Sequence, residues 1–401
     1  MQGRERRQAN GGIPWRGIDS VHNRLIHGYF DINLGVVWQT VSRELPPPFC
    51  YTSSRDQSLS REDAMHEARF WTPAPEGKVK CSLCRFRCLI AEGRRGVCGV
   101  RENRDGTLYT LVYGRSIAEN IDPIEKKPLY HYHPGSLSFS VSTVGCNFRC
   151  LHCQNWEISQ WPHTGRDIAG RELPPAEIVR RTRAGNCRSI AYTYTEPTIF
   201  FEYAYDTAVL AKEAGIGNVF VTNGYTTPEA LEAIAPYLDA ANVDLKGYSE
   251  NFYREVAGAT LQGVLDTLRE YKRLGIWIEV TTLLIPGHND SEGELKGIAR
   301  FIAGELGPEV PWHVTAFYPT YKMLDEPPTP AETLRRARRI GLEAGLKYVY
   351  QGNVPGEGGE NTFCPACGKI VIERQGFRVG TIRIDKGACE FCGETLDGVG
   401  L

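Results

Sequence analysis

From residue 137 onward the chain alternates two textures. Short runs of β-branched and aromatic residues occur at Leu137–Val144, Ser189–Tyr194, Asn218–Thr222, Ala241–Leu245, Ile276–Leu284, Trp312–Phe317 and Tyr348–Tyr350, and these read as strands. Between them, Ile199–Ala214, Pro228–Leu238, Leu261–Leu274, Glu292–Leu306 and Pro330–Ala344 carry apolar residues at helical spacing. Strands separated by helices of that length imply parallel βα units, about six of them. The α/β class follows, and the count suits an open, partial (β/α)6 barrel over residues 137–352. A doubly wound sheet uses the same alternation and is the alternative fold.

The flanks are different. Residues 1–64 mix Gln, Asn, Arg, Gly and Ser with a Pro-Pro-Pro run at 46–48, and the apolar stretch Leu34–Trp38 is too isolated for a core. A poorly ordered arm is expected, with Met65 as an alternative start of translation. Residues 65–136 form a Cys-rich segment with a strand expected at Thr107–Tyr113 and a proline-punctuated loop from Asp122 to Pro134. His131 and His133 in that loop read as loop groups or i, i+2 ligands. After the glycine-rich linker 353–359, residues up to 401 form a small β unit between two cysteine pairs.

Cysteine placement changes the picture most. There are 13 cysteines, and all but Cys50 and Cys187 fall into three groups with metal-ligand spacing. Cys364, Cys367, Cys389 and Cys392 make two C-x2-C pairs, each followed by glycine, the pattern of a zinc-ribbon-like knuckle. Cys81, Cys84, Cys88 and Cys98 follow C-x2-C-x3-C-x9-C, which fits no common zinc finger and suits either Zn or Fe–S. Cys146, Cys150 and Cys153 stand at C-x3-C-x2-C directly after the first barrel strand. Three thiolates on one loop hold three corners of a [4Fe–4S] cube and leave the fourth iron open. That spacing after a strand resembles the signature of radical S-adenosylmethionine (SAM) enzymes.

Composition then excludes other classes. A net charge of −2 gives no basic footprint for nucleic acid. No apolar run reaches a membrane span, and no signal-peptide core follows Met1, so a cytoplasmic protein with metal sites instead of disulfides is expected.

In parallel βα folds, chemistry gathers at the carboxyl ends of the strands. Those ends carry Tyr194-Thr195-Glu196-Pro197, Thr222-Asn223-Gly224, Asp244-Leu245-Lys246-Gly247, Ile285-Pro286-Gly287-His288-Asn289-Asp290 and Phe317-Tyr318-Pro319-Thr320-Tyr321. SAM needs partners for its ammonium, ribose hydroxyls and carboxylate. Glu196, Asn223, Asp244 and Lys246 supply those types, although each alone also suits a helix cap or loop bond. Tyr194, Tyr318 and Tyr321 are candidate lining residues of a substrate cavity, and no general acid or base is assigned.

Taken together, Cys81–Cys98, Asp122–Pro128, Gly145–Asn155, Tyr192–Pro197, Val221–Tyr225, Asp244–Gly247, Ile285–Asp290, Gly352–Gly356 and the C-terminal pairs resemble the radical SAM enzyme of the AmmeMemoRadiSam system. That family is related to pyruvate formate-lyase activating enzymes. The resemblance implies a [4Fe–4S] cluster, SAM and Zn as cofactors, and an external electron donor of flavodoxin or ferredoxin type. It also implies Memo-like and AMMECR1-like partner proteins, while the near-neutral charge and the lack of a long apolar run lead to the expectation of no nucleic acid and no membrane. Glu196 falls where relatives bind the SAM ammonium, with Thr195 replacing a glycine, and His152 where an aromatic residue lies by adenine. The expected activity is radical modification of an unidentified small molecule or protein side chain. Glycyl-radical activation is the alternative, and a non-catalytic Fe–S or zinc module the third reading.

Overall fold

Eight strands form the main sheet of the computed structural model, which describes residues 66–354 and 356–401. The arm expected at 1–64 and the alternative start at Met65 lie outside the described residues. In chain order the strands are β1 (Ala118–Pro123), β2 (Leu137–Ser142), β3 (Ser189–Tyr192), β4 (Gly217–Thr222), β5 (Ala240–Asp244), β6 (Trp277–Leu284), β7 (Trp312–Ala316) and β8 (Val349–Gly352). Their order across the sheet is the same as along the chain. β1 pairs antiparallel with β2, and every later pair is parallel. A doubly wound sheet needs a point where the order reverses, and here there is none. β1 extends the sheet into the Cys-rich segment 65–136, just beyond the strand expected at Thr107–Tyr113.

Helices α1 (Pro175–Ala184), α2 (Phe201–Glu213), α3 (Pro228–Ile234), α4 (Leu261–Arg273), α5 (Glu292–Phe301) and α6 (Ala331–Glu343) fill the crossovers. Right-handed crossovers in a sheet of constant order put every helix on one face. α4 shows why its residues choose a helix: Leu261, Val264, Leu265, Leu268 and Tyr271 recur at i, i+3, i+4 spacing and are all buried. α5 starts on a cap in which the Ser291 hydroxyl accepts from the Glu294 N–H at 3.3 Å. The helix expected to run to Leu306 is α-helical only to Phe301 and widens into a π turn over Ile302–Leu306.

The other face of the sheet carries a row of small residues in register, Ser140, Ala191, Val219 and Ala240. Small side chains leave room for the chain itself. Ile124, Leu129 and Tyr132 pack against Ala191, Val219 and Ala240, with Trp277 and Val399 alongside. The proline-rich loop is therefore a plug.

The C-terminal unit docks on the same end. Its strands Thr362–Phe363, Ile370–Gln375 and Arg378–Ile382 form one small sheet. Val399 donates to the His131 carbonyl and accepts from the His133 N–H, both at 2.7 Å. Arg374 is fully buried and donates to the Tyr130 carbonyl (2.8 Å) and to Thr362 Oγ1 (2.7 Å), with Glu125 3.6 Å away. Beneath it, Glu279 accepts from the backbone N–H groups of Tyr130 and His131 at 3.0 and 2.7 Å and lies 2.6 Å from His313 Nε2. These residues sit near the amino ends of β6, β7 and β8, away from the cysteine loop that follows β2.

Candidate active site

The cysteine loop leaves β2 through Gly145, which has φ +102°. A Cβ there would lie 2.7 Å from Val100 Cγ1 and 3.1 Å from the Cys98 carbonyl oxygen, so the approach requires glycine. The loop is then pinned by its backbone. Gly145 N–H donates to Ile158 (3.0 Å), Arg149 N–H to Ala257 (2.9 Å), and Leu151 N–H to Val256 (2.9 Å). Arg149 Nη1 ties the Cys146 and Phe148 carbonyls at 2.9 and 2.8 Å.

Donors reach the sulfurs. Phe148 N–H lies 3.4 Å and Asn223 Nδ2 3.8 Å from Cys146 Sγ, and Ser159 Oγ lies 3.3 Å from Cys153 Sγ. Burial pushes the Cys150 thiol up to about 12, and burial with the nearby Glu196 carboxylate pushes Cys146 well above the usual thiol range. Thiols so placed become thiolates when a cationic metal centre compensates the charge. Among the described residues, only Cys364, Cys367, Cys389 and Cys392 bring three or more ligand atoms within 4.8 Å of one another. Cys146, Cys150 and Cys153 are not gathered into such a single-ion group. The three cysteines fit the cluster.

The expected strand-end residues differ in what they do. Asn223 sits against the loop, its Nδ2 2.7 Å from Asn147 Oδ1. Lys246 Nζ pairs with Asp244 at 2.8 Å, and although burial opposes its charge, Asp244 and Cys150 outweigh this and raise its pKa. Glu196 is buried and already engaged. Its carboxylate accepts from Thr198 N–H (3.0 Å), Thr198 Oγ1 (2.6 Å), Thr222 Oγ1 (2.7 Å) and Asn223 N–H (2.7 Å). That is the helix-cap role weighed from the sequence, and it fills a carboxylate's acceptor sites. Thr195 turns its hydroxyl back to Ser142 Oγ and the Thr143 carbonyl, both at 2.9 Å. His152 is buried beside Phe252, its ring centroid 6.4 Å away, and its Nδ1 has no partner. Burial lowers its pKa to about 3, so it is neutral.

Tyr318 and Tyr321 separate. Tyr321 stacks on Trp156 at 5.1 Å, while the Tyr318 hydroxyl donates to the Asn353 carbonyl. Tyr194 points to the sheet interior, where its hydroxyl donates to Asp122 at 2.6 Å. Asp122 also accepts from Lys127 (2.7 Å) and Ser140 (2.9 Å). This ionic knot was missed because Asp122 to Lys127 read as a loop; the acid and base five residues apart were its only trace. Asn289 was also passed over, yet it clips two rim loops by donating to the Lys246 carbonyl (2.6 Å) and accepting from Ile285 N–H (2.7 Å).

The C-terminal cysteines gather as two like knuckles. Cys364 and Cys392 sulfurs lie 3.6 Å apart, and Cys367 and Cys389 sulfurs 3.9 Å. Cys81, Cys84, Cys88 and Cys98 do not reach that closeness.

Comparison with known proteins now gives the class. Residues 140–302 match the radical SAM superfamily profile. The chain is 50% identical over 335 residues to the uncharacterized protein MJ0808 of Methanocaldococcus jannaschii, spanning 83% of this chain and 99% of that one. It is 24% identical over 220 residues to the pyruvate formate-lyase-activating enzyme of Clostridium pasteurianum, covering 52% and 89% of the two chains. A solved radical SAM methyltransferase from Sphaerobacter thermophilus aligns at 18% identity and TM-score 0.44, over 56% and 68% of the two chains. Residues 1–49 match a different profile, ribonuclease HepT-like, and lie outside the described residues. The chain belongs to the radical SAM superfamily. It is a radical SAM enzyme related to pyruvate formate-lyase-activating enzymes, and no helix among the described residues is long and apolar enough to cross a membrane.

Proposed function

We propose that Cys146, Cys150 and Cys153 hold a [4Fe–4S] cluster with SAM on its open iron, inside a partial (β/α)6 barrel. The observation that carries the reading is one loop with three buried or half-buried thiols and N–H donors near the Cys146 sulfur. When bound, this pair of cofactors supplies a 5′-deoxyadenosyl radical that takes a hydrogen atom from substrate. The chain's residues orient and shield. Lys246 offers the charge partner for the SAM carboxylate, and Asp244 an acceptor for its ribose hydroxyls. Asn223 holds the Cys146 side of the loop, and Glu196 fixes Asn223 through its backbone N–H. Neutral His152, buried beside Phe252, is the residue offered to flank the adenine ring. The electron comes from an external flavodoxin or ferredoxin type donor. Cys364, Cys367, Cys389 and Cys392 suit one structural zinc.

The substrate is a protein side chain in this reading. Exposed Trp156, Tyr318 and Leu324 flank the rim and suit a macromolecular surface better than a small polar ligand. Memo-like and AMMECR1-like proteins are the partners to test first. Similarity to a pyruvate formate-lyase-activating enzyme favours a second reading, activation of a glycyl-radical enzyme. The test is anaerobic reconstitution with iron, sulfide, SAM and dithionite, measuring 5′-deoxyadenosine with and without each partner protein. Deoxyadenosine that rises with a Memo-like or AMMECR1-like protein supports the first reading. A glycyl EPR doublet on an added glycyl-radical enzyme supports the second. No deoxyadenosine from cluster-loaded enzyme overturns both.

A further inference from the structure

The N-terminal quartet is built for a charge it does not itself carry. The hairpin of strands Val79–Cys81 and Leu89–Ile90 sets Cys81 N–H on the Cys88 carbonyl at 2.9 Å, so Cys81 and Cys88 flank one end. Cys84 lies in the turn between them and bridges to Thr226, in the loop after β4. Cys98 comes from the following loop, where Val97 N–H points at Cys88 Sγ from 3.5 Å. Cys81, Cys84 and Cys98 are buried and Cys88 is half-buried.

Arg101 lies three residues beyond Cys98 and is coupled electrostatically to this group. It is 1% exposed, and its guanidinium lies within electrostatic reach of all four cysteines. One nitrogen, Nη2, is used: it donates to the Arg69 carbonyl and pairs with Glu202 at 3.2 Å. The other two, Nε and Nη1, are buried with no partner. Buried guanidinium N–H groups are costly to leave unpaired, and sulfur that carries negative charge would satisfy them. Four neutral thiols offer only weak acceptors.

Sulfur spacing sets the two cysteine quartets apart. The C-terminal quartet closes to within 4.8 Å, the compass of a single ion. Cys81, Cys84, Cys88 and Cys98 stay wider, as do Cys146, Cys150 and Cys153 of the superfamily loop. We propose that Cys81, Cys84, Cys88 and Cys98 hold a second, fully cysteine-ligated iron–sulfur cluster, with Arg101 Nε and Nη1 donating to its sulfurs. It lies one loop from the first: Arg149 reaches the Val97 carbonyl on one side and the Cys146 carbonyl on the other. The proposal goes beyond the SAM-binding cluster, because all four irons of this centre have a thiolate and none is open to SAM.

The full chain carrying Cys146→Ala, Cys150→Ala and Cys153→Ala isolates the second site. Reconstituted anaerobically with iron and sulfide, it should keep about half of the wild-type iron, as expected for one of two four-iron centres. Its reduced EPR signal should be unchanged by SAM. Adding Cys84→Ala and Cys98→Ala should remove the remaining iron while the C-terminal zinc is retained, which reports that the fold survives. Zinc bound by the triple variant at Cys81–Cys98 in place of iron overturns the proposal, and so does a triple variant with neither metal there. Failure of the SAM-binding reading looks different: it is a wild-type signal that SAM does not alter. Arg101→Lys keeps the charge and removes the forked N–H donors, so the reduction potential of the second cluster should fall. An unchanged potential overturns the role of Arg101.

Discussion

The two ends of the parallel strands are put together on different terms. At the carboxyl ends, side chains hold loops but leave polar atoms open, as at His152 Nδ1. At the amino ends, a chain of buried bonds runs from Arg374 to Thr362, Thr362 to Tyr350, Tyr350 to His131, and His131 to the Asp397 carbonyl, although Arg374 Nε and Glu125 Oε2 keep no hydrogen-bond partner. One end carries the three-cysteine loop, while the other joins the C-terminal unit to the sheet. Function and stability are therefore separable by position, which the following experiments exploit.

The largest effect is expected at the open end. Cys150→Ala removes a thiolate that a methyl group cannot replace, so SAM cleavage and the SAM-sensitive EPR signal should vanish. Any metal held by the C-terminal cysteines and the resistance of the tail to protease should stay. Loss of both together would show that the two ends are not independent.

Next comes the closed end. Arg374→Met strips donors from Thr362, Tyr130 and the Glu360 carbonyl and leaves Glu125 buried without its cation. Breaking a buried pair from one side costs about 3–5 kcal/mol. Urea unfolding should show that loss, and adding Glu125→Gln should recover part of it. Equal stability in wild type and Arg374→Met would reduce the docking to incidental contact.

Much of this plan was legible in the sequence, and for a physical reason. Helices such as α4 and strands such as β6 announce themselves through local periodicity, and the three cysteine groups through spacing alone. The closed end was not legible, because its bonds join residues far apart in the chain. Arg374 reaches Tyr130, and Val399 reaches His131; neither partner marks the other locally. The same blindness hid the docking side of the C-terminal unit, which pairs with the plug and not with the cysteine rim. Glu196 was recognised as important, while its partners Thr222 and Asn223 emerge only when β3 and β4 lie side by side.

The third effect is a pH dependence of the closed end. His131 donates from Nδ1 to the Asp397 carbonyl and accepts the Tyr350 hydroxyl at Nε2, an arrangement that requires neutral imidazole. Burial lowers its pKa from 6.5 to about 4. Between those values the unfolded chain binds a proton that the folded chain refuses, so stability is full above pH 6.5 and falls as pH drops toward 4. The fall amounts to roughly 3 kcal/mol. Thermal unfolding from pH 7.5 down to about 4.5 should slope less in His131→Asn than in wild type. Parallel slopes would assign the acid sensitivity to other groups.

The smallest effect asks whether Glu196 belongs to the ligand or to the frame. Four donors from the chain occupy its carboxylate, and two of them are the backbone N–H groups of Thr198 and Asn223. Removing the acceptor leaves those donors buried and unpaired, at about 1–3 kcal/mol for such a group. Glu196→Ala should therefore lower stability even when SAM is absent. Because Asn223 contacts the Cys146 loop, SAM affinity should fall as well, through displaced geometry. A frame role and a direct ammonium contact separate in the ligand-free protein. Lost SAM affinity at unchanged ligand-free stability would identify Glu196 as the ammonium partner, since a contact made only to ligand cannot stabilise the protein without it. Lost stability with SAM affinity intact would leave it a strand-to-strand clip, fixing β3 to β4 beneath the site.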